Sequence, residues 1–191
     1  MKPVRKLVCL AVPLLFVAGA LGQPNLKHFE KDGLTFDYPA SWQISDQSSG
    51  QMQYIQMARD GFAEIRIRAP REWLSTPEKE AAAKKLIQDQ YVDSFVSQVE
   101  QAGMHPKRSV ATSQISGADA EGARVRAVMD GEPGGMDSYF RIVSARFVQM
   151  SIIGSEKEIA HSTPAWDLIR NSLKLELPPQ PKATPTPKGK P

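Results

Sequence analysis

Gly33-Leu-Thr-Phe-Asp-Tyr-Pro-Ala-Ser-Trp42 is the stretch from which the fold can be read. Leu34, Phe36 and Tyr38 alternate with Thr35 and Asp37, the period of a strand with one buried face. Pro39 and Ala40-Ser41 then make a turn, and Trp42-Gln-Ile44 resumes the alternation. The segment predicts a hairpin-like entry into a sheet.

Outward from there the pattern continues. Tyr54–Met57 and Ala63–Arg68 read as strands joined by a turn at Asp60-Gly61, with Ala63, Ile65 and Ile67 inward and Glu64, Arg66 and Arg68 outward. The period then changes. Ser75-Thr-Pro-Glu78 has the form of a capping box with proline in the first turn. Ile87, Tyr91, Phe95 and Val99 follow at helical spacing, with Leu86, Val92 and Val96 beside them, and Gly103 closes a helix of about 25 residues. Charged residues on its other side (Lys84, Asp89, Asp93, Glu100) imply that it covers a sheet with one face only.

Four more strands are expected at 109–115, 123–129, 138–144 and 146–153. Ser116-Gly117, the Gly131–Gly135 stretch and a tight link near Ala145 divide them, and Gly134-Gly135 reads as a hairpin turn. Short connections between consecutive strands favour an antiparallel sheet. Thr163-Pro164 offers an N-cap and first-turn proline for a last helix bearing Trp166, Ile169 and Leu173. The expectation is an α+β domain of seven or eight strands, a central antiparallel sheet flanked by helices.

The two ends have a different character. Lys2, Arg5 and Lys6 precede an apolar run from Leu7 to Leu21, and Gly19, Ala20 and Gly22 supply small residues for cleavage after Gly22. That is an export signal, with an uncleaved membrane tether as the lesser alternative. The run spans 15 residues, short of the ~20 that a membrane span requires. Removing residues 1–22 deletes Cys9, the only cysteine, and so excludes disulfides and thiolate metal sites from the mature chain. The residues before Cys9 do not fit a lipoprotein signal. At the other end, residues 178–191 hold six prolines and nothing apolar larger than alanine, the composition of a disordered tail.

Charge follows the same division. The chain carries 24 basic against 21 acidic residues, yet residues 23–177, the expected single domain, hold 18 against 21. The basic excess belongs to the ends, which removes the charge argument for nucleic-acid binding.

The motifs Gly33–Trp42, Tyr139–Met150 and Pro164–Leu175 resemble the opening, late hairpin and closing helix of PsbP-like domains, over residues 30–176. That resemblance implies an α/β/α sandwich. The family includes extrinsic photosystem II subunits, Ran-binding import factors and exported bacterial proteins, so it implies a binding or accessory module rather than an enzyme.

Candidate chemistry is sparse. His28, His105 and His161 lie far apart, and only Glu158, three residues before His161, has a helical ligand spacing. No serine-hydrolase elbow, Walker loop or dinucleotide fingerprint occurs. Neither a metal nor a cofactor is expected. Arg66 and Arg68 on one strand, with Arg124 and Arg126 on another, would form a basic stripe for an anionic ligand or acidic partner if those strands were neighbours. Solvated positions paired with Glu64 are the plainer reading. Trp42 and Trp166 read as core residues rather than a pocket. The functional expectation is an exported, non-catalytic module, periplasmic or secreted, contacting a protein or cell-envelope component without stable membrane insertion. The alternative is an exported hydrolase or small-ligand carrier whose site joins residues distant in sequence.

Overall fold

The structure, a computed structural model, describes residues 25–129 and 131–176. The leader and the proline-rich tail lie outside the described residues. Among the described residues ten strands form two antiparallel sheets. The small sheet has the order β1-β2-β10, from β1 (Leu26–Lys31), β2 (Leu34–Pro39) and β10 (Lys174–Leu175). The large sheet takes β3 (Gln43–Asp46), β4 (Met52–Ala58), β5 (Glu64–Pro70), β6 (Lys107–Ile115), β7 (Ala118–Met129), β8 (Glu132–Val143) and β9 (Arg146–Ser155), in the order β3-β4-β5-β9-β8-β7-β6. The expected hairpin across residues 34–44 therefore does not form. Pro39 ends β2 in one sheet and Trp42 leads β3 into the other, with Trp42 N–H donating to Pro39 O at 3.0 Å across the turn.

Helices cover both faces. On one side lie α1 (Pro77–Ala83), a π-helical turn (Lys84–Asp89) and α2 (Gln90–Gln101), running as one rod. Thr76 caps it, one residue after the expected Ser75, with Pro77 in the first turn. Beyond its end Met104 N–H donates to Val99 O at 3.2 Å, and Gly103 takes the φ of 81° that such a stop requires. On the other side lies α3 (Glu156–Ser172). It begins well before Thr163-Pro164, because Ser155 and Glu158 already form a complete capping box. Pro164 falls inside the helix, and the preceding Ser162 and Thr163 hydroxyls bond back to Glu158 O and Ile159 O. The architecture is an α/β/α sandwich.

The Gly134-Gly135 turn is also displaced. Both glycines sit within β8, paired with Ala127 and Arg126. Gly135 has φ 156°, and a Cβ there would meet Val125 O at 1.9 Å, so β7 and β8 approach too closely for a side chain. Parity divides the buried residues. Ile65, Ile67, Val148 and Met150 point toward α3 and the small sheet, where Leu34, Phe36, Trp42 and Trp166 complete the main core. The face beneath the α1–α2 rod is smaller and partly polar: Val92 packs with Val125 and Met136, and Ile87 with Phe147. Between these clusters Ser138 Oγ donates to Gln88 Oε1 (2.8 Å) and accepts from Gln149 Nε2 (2.7 Å). Among the described residues no helix is long and apolar enough to cross a membrane.

One cation joins the two sheets. Arg146 is fully buried, and its guanidinium donates to Asp32 O (3.1 Å), Glu176 O (2.6 Å), Pro70 O (3.3 Å) and Gln53 Oε1 (2.5 Å). Arg146→Met keeps most of the volume but strands these acceptors. We expect a stability loss of about 3 kcal/mol or more, read as a lower urea midpoint at unchanged slope; an unchanged midpoint would remove Arg146 as the tie.

A second link between the sheets titrates. Burial raises the Asp46 carboxyl, but Lys31 Nζ at 2.5 Å and the Ser48 hydroxyl and N–H outweigh it, holding the pKa at about 2 against 3.8. A carboxylate favoured by folding stabilises above its unfolded pKa and loses that contribution as pH falls through the folded one. Thermal unfolding followed from pH 5 to pH 2 should therefore drop less steeply in Asp46→Asn than in the parent, and more so at low salt. Parallel curves would dissociate Asp46 from the acid limb.

Candidate functional site

The sheet order separates the four arginines anticipated as one stripe. β9 and β8 lie between β5 and β7, and strand parity sends the two pairs to opposite faces. Arg66 and Arg68 project toward the α1–α2 rod. Arg66 clasps Glu64 with Nε at 2.5 Å from Oε1 and Nη2 at 3.2 Å from Oε2, and Nη1 donates to the Tyr91 hydroxyl at 3.1 Å. Burial opposes its charge, but Glu64 and Tyr91 overcome that and hold its pKa above the ordinary value. Arg68 lies 4.9 Å from the centre of the Tyr91 ring and donates to Ile87 O at 3.4 Å. This pair fastens the rod to the sheet, with Arg66 neutralised by Glu64 and Arg68 held by the Tyr91 ring and the Ile87 carbonyl.

Arg124 and Arg126 face α3 and line a cleft. Their partner was missed by sequence reasoning: Asp137 on β8, directly opposite Arg124. Arg124 donates through Nε and Nη2 to the two Asp137 oxygens, each at 3.0 Å, the fork geometry suited to a carboxylate. The Asp137 contact raises the Arg124 pKa further above its usual value. Arg126 Nη2 stands 2.6 Å from Asp137 Oδ1, and its Nη1 donates to Val125 O and Met136 O. The Tyr139 hydroxyl reaches Asp137 Oδ2 at 3.3 Å, and burial pushes that phenol's pKa up. At the far end Glu156 Oε1, in the first turn of α3, comes within 4.0 Å of Arg126 Nε.

The cleft between these charges and α3 has a volume of about 400 Å³. Its sheet side carries Arg124, Arg126, Asp137 and Tyr139, and its helix side presents Ile159 and Trp166. Trp166 is 7% exposed and belongs to the main core, while one part of it contacts Tyr139 with ring centres 6.3 Å apart. The tryptophan expected as core thus also forms a wall; Trp42 lies in the core against Phe62. Convergent charged groups in a concave site beside a few apolar side chains mark it as a candidate ligand site, more polar in its lining than an ordinary small-molecule pocket.

The histidines are scattered, as their spacing implied. His28 Nδ1 lies 2.7 Å from Asp37 Oδ1 across β1 and β2 on an exposed surface. His161 and Glu158 both lie in α3, but they do not act together. Glu158 Oε2 accepts from the Ser155 N–H at 2.9 Å, whereas His161 packs against Phe62 with centres 6.0 Å apart. Asp137 could have been found from sequence only by pairing Met129 with Glu132, the register that sets residue 137 against 124.

No family model and no curated protein matches this chain. Solved structures do. The solution structure of cyanobacterial PsbP from Synechocystis sp. PCC 6803 superposes with a TM-score of 0.50 at 11% identity, covering 84% of this chain and 98% of that one. A Pseudomonas aeruginosa protein of unknown function gives a TM-score of 0.34 at 15% identity, over 74% of this chain and 91% of that one. At such identities the likeness speaks for the backbone alone. The chain has the PsbP-like fold.

Proposed function

We propose that this protein is an exported, non-catalytic binding module that engages its partner, a protein or cell-envelope component, through the Arg124–Trp166 cleft. The observation that carries the reading is the cleft itself: charged groups from β7 and β8 converge opposite a face of α3 that carries Glu156 and Thr163 beside Ile159 and Trp166. The Asp137 carboxylate is taken by three donors, Arg124, Arg126 and Tyr139, an arrangement suited to holding a surface in shape. Export rests on the leader, whose basic head, apolar run and small residues before Gln23 suit a cleavable signal. The second reading, a small-ligand carrier, draws its support from the cleft volume of about 400 Å³, within the range of ligand pockets.

Expressed with its own first 22 residues in a bacterium, the protein should accumulate outside the cytoplasm with Gln23 as its first residue. A product that stays in the cytoplasm with Met1 retained would overturn the export assignment. For the cleft, a photo-crosslinking side chain at Thr163, which lines it, should trap a partner from the envelope fraction of the source organism. The same group at Val110, 90% exposed on the edge strand β6, should not. Adding Arg124→Glu should abolish the Thr163 product while circular dichroism stays native. Identical products from both positions would sink the assignment.

A further inference from the structure

The charges in the cleft form a row of alternating sign: Glu156, Arg126, Asp137, Arg124. Its inner members are well covered, with Arg126 26% and Asp137 9% exposed at the side chain, and each has an opposite charge on either side. The outer members differ. Glu156 is 58% exposed and meets only the 4.0 Å contact with Arg126; Arg124 is 48% exposed and meets only Asp137. The row therefore ends in one exposed anion and one exposed cation, each with an opposite charge on one side only, at opposite ends of one cleft.

That pattern discriminates among ligands. A simple anion drawn to Arg124 would also meet the fields of Asp137 and Glu156, and a simple cation drawn to Glu156 would meet both arginines. A ligand with separated charges completes both ends at once. Spacing sets its length. Arg124 and Arg126 are two residues apart on β7, about 6.6 Å along the strand, and Glu156 lies beyond Arg126. The charges of a free amino acid are much closer together than that, whereas a peptide gains ~3.3–3.6 Å per residue. Ile159 and Trp166 on the facing wall offer burial to an apolar side chain.

We propose that the cleft binds a short peptide with both ends free, three or four residues long, its ammonium at Glu156, its carboxylate at Arg124 and an apolar side chain against Trp166 and Ile159. This rests on the second reading above, the cleft as a small-ligand site, and it narrows that ligand.

The test is isothermal titration calorimetry of the mature chain with Ala-Leu-Ala, its N-acetyl form, its C-terminal amide and free leucine. The free tripeptide should bind, with each blocked form and leucine weaker by about tenfold or more, roughly 1.4 kcal/mol. Arg124→Gln should erase the difference between acid and amide, and Glu156→Gln the difference between free and acetylated amine. Arg124 is 48% and Glu156 58% exposed, and native thermal unfolding of each variant would confirm the fold. Equal binding of the blocked forms, or no heat with any peptide at about 10 mM, would overturn the proposal. If the Thr163 crosslink persists alongside that result, the cleft remains a binding surface and only the peptide assignment falls. If both are lost, the cleft itself is not the site.

Discussion

The Arg146 guanidinium is the point on which the two sheets depend. It stands at the start of β9 and reaches the β1–β2 turn through Asp32 O, the end of β5 through Pro70 O, β4 through Gln53, and the chain after β10 through Glu176 O. Burial, and Arg71 beyond it, push its pKa below the usual arginine value, while Asp32 works the other way. An arginine starts from so high a value that it remains charged at neutral pH. The desolvation cost is offset by carbonyl dipoles aimed at the cation from several directions. Gly33 is part of the same arrangement, since a Cβ there would lie 2.6 Å from Glu176 O.

Much of the fold was legible because strand alternation and helix spacing are local signals. Ala63–Arg68, the long helical stripe and the strands of the late meander all appear near their expected positions. What failed depended on competition between local signals or on long-range pairing. Ser155–Glu158 and Thr163-Pro164 are both credible helix starts, and the earlier one prevailed through its reciprocal cap, leaving Pro164 inside the helix without an N–H to donate back one turn. β1 and β10 are short and mostly exposed, so their sequence carries little periodicity; they exist by pairing with β2.

The site was half legible for a related reason. Alternation says that Arg66 and Arg68 share a face, and that Arg124 and Arg126 do, but it does not relate one strand to another across a helix and several turns. Only the order β5-β9-β8-β7 decides that the two pairs are back to back. Arg66 then finds Glu64 within β5 while Arg68 lies over the Tyr91 ring, and Arg124 and Arg126 share Asp137 across the hairpin, so the two pairs take up different tasks. Under the rod the polar partners extend inward to Gln88, Ser138 and Gln149. Gln149 Oε1 is buried without a hydrogen-bond partner, beneath the π-helical turn. That face joins polar contacts to two apolar clusters smaller than the main core, so its rod buries less apolar surface than the α3 side does.

The Arg146 tie also orders the life of the chain in time. Asp32 precedes Arg146 by 114 residues, and Glu176 follows it by 30. On a ribosome, or emerging from a translocation channel, β2 is complete long before β10 exists to flank it, and Gly33 waits for Glu176 to close the small sheet. Contacts of such separation slow folding, because loop closure precedes any reward. The domain is thus assembled late, by its carboxyl end, and a nascent chain short of Glu176 has every strand of the large sheet but lacks the latch.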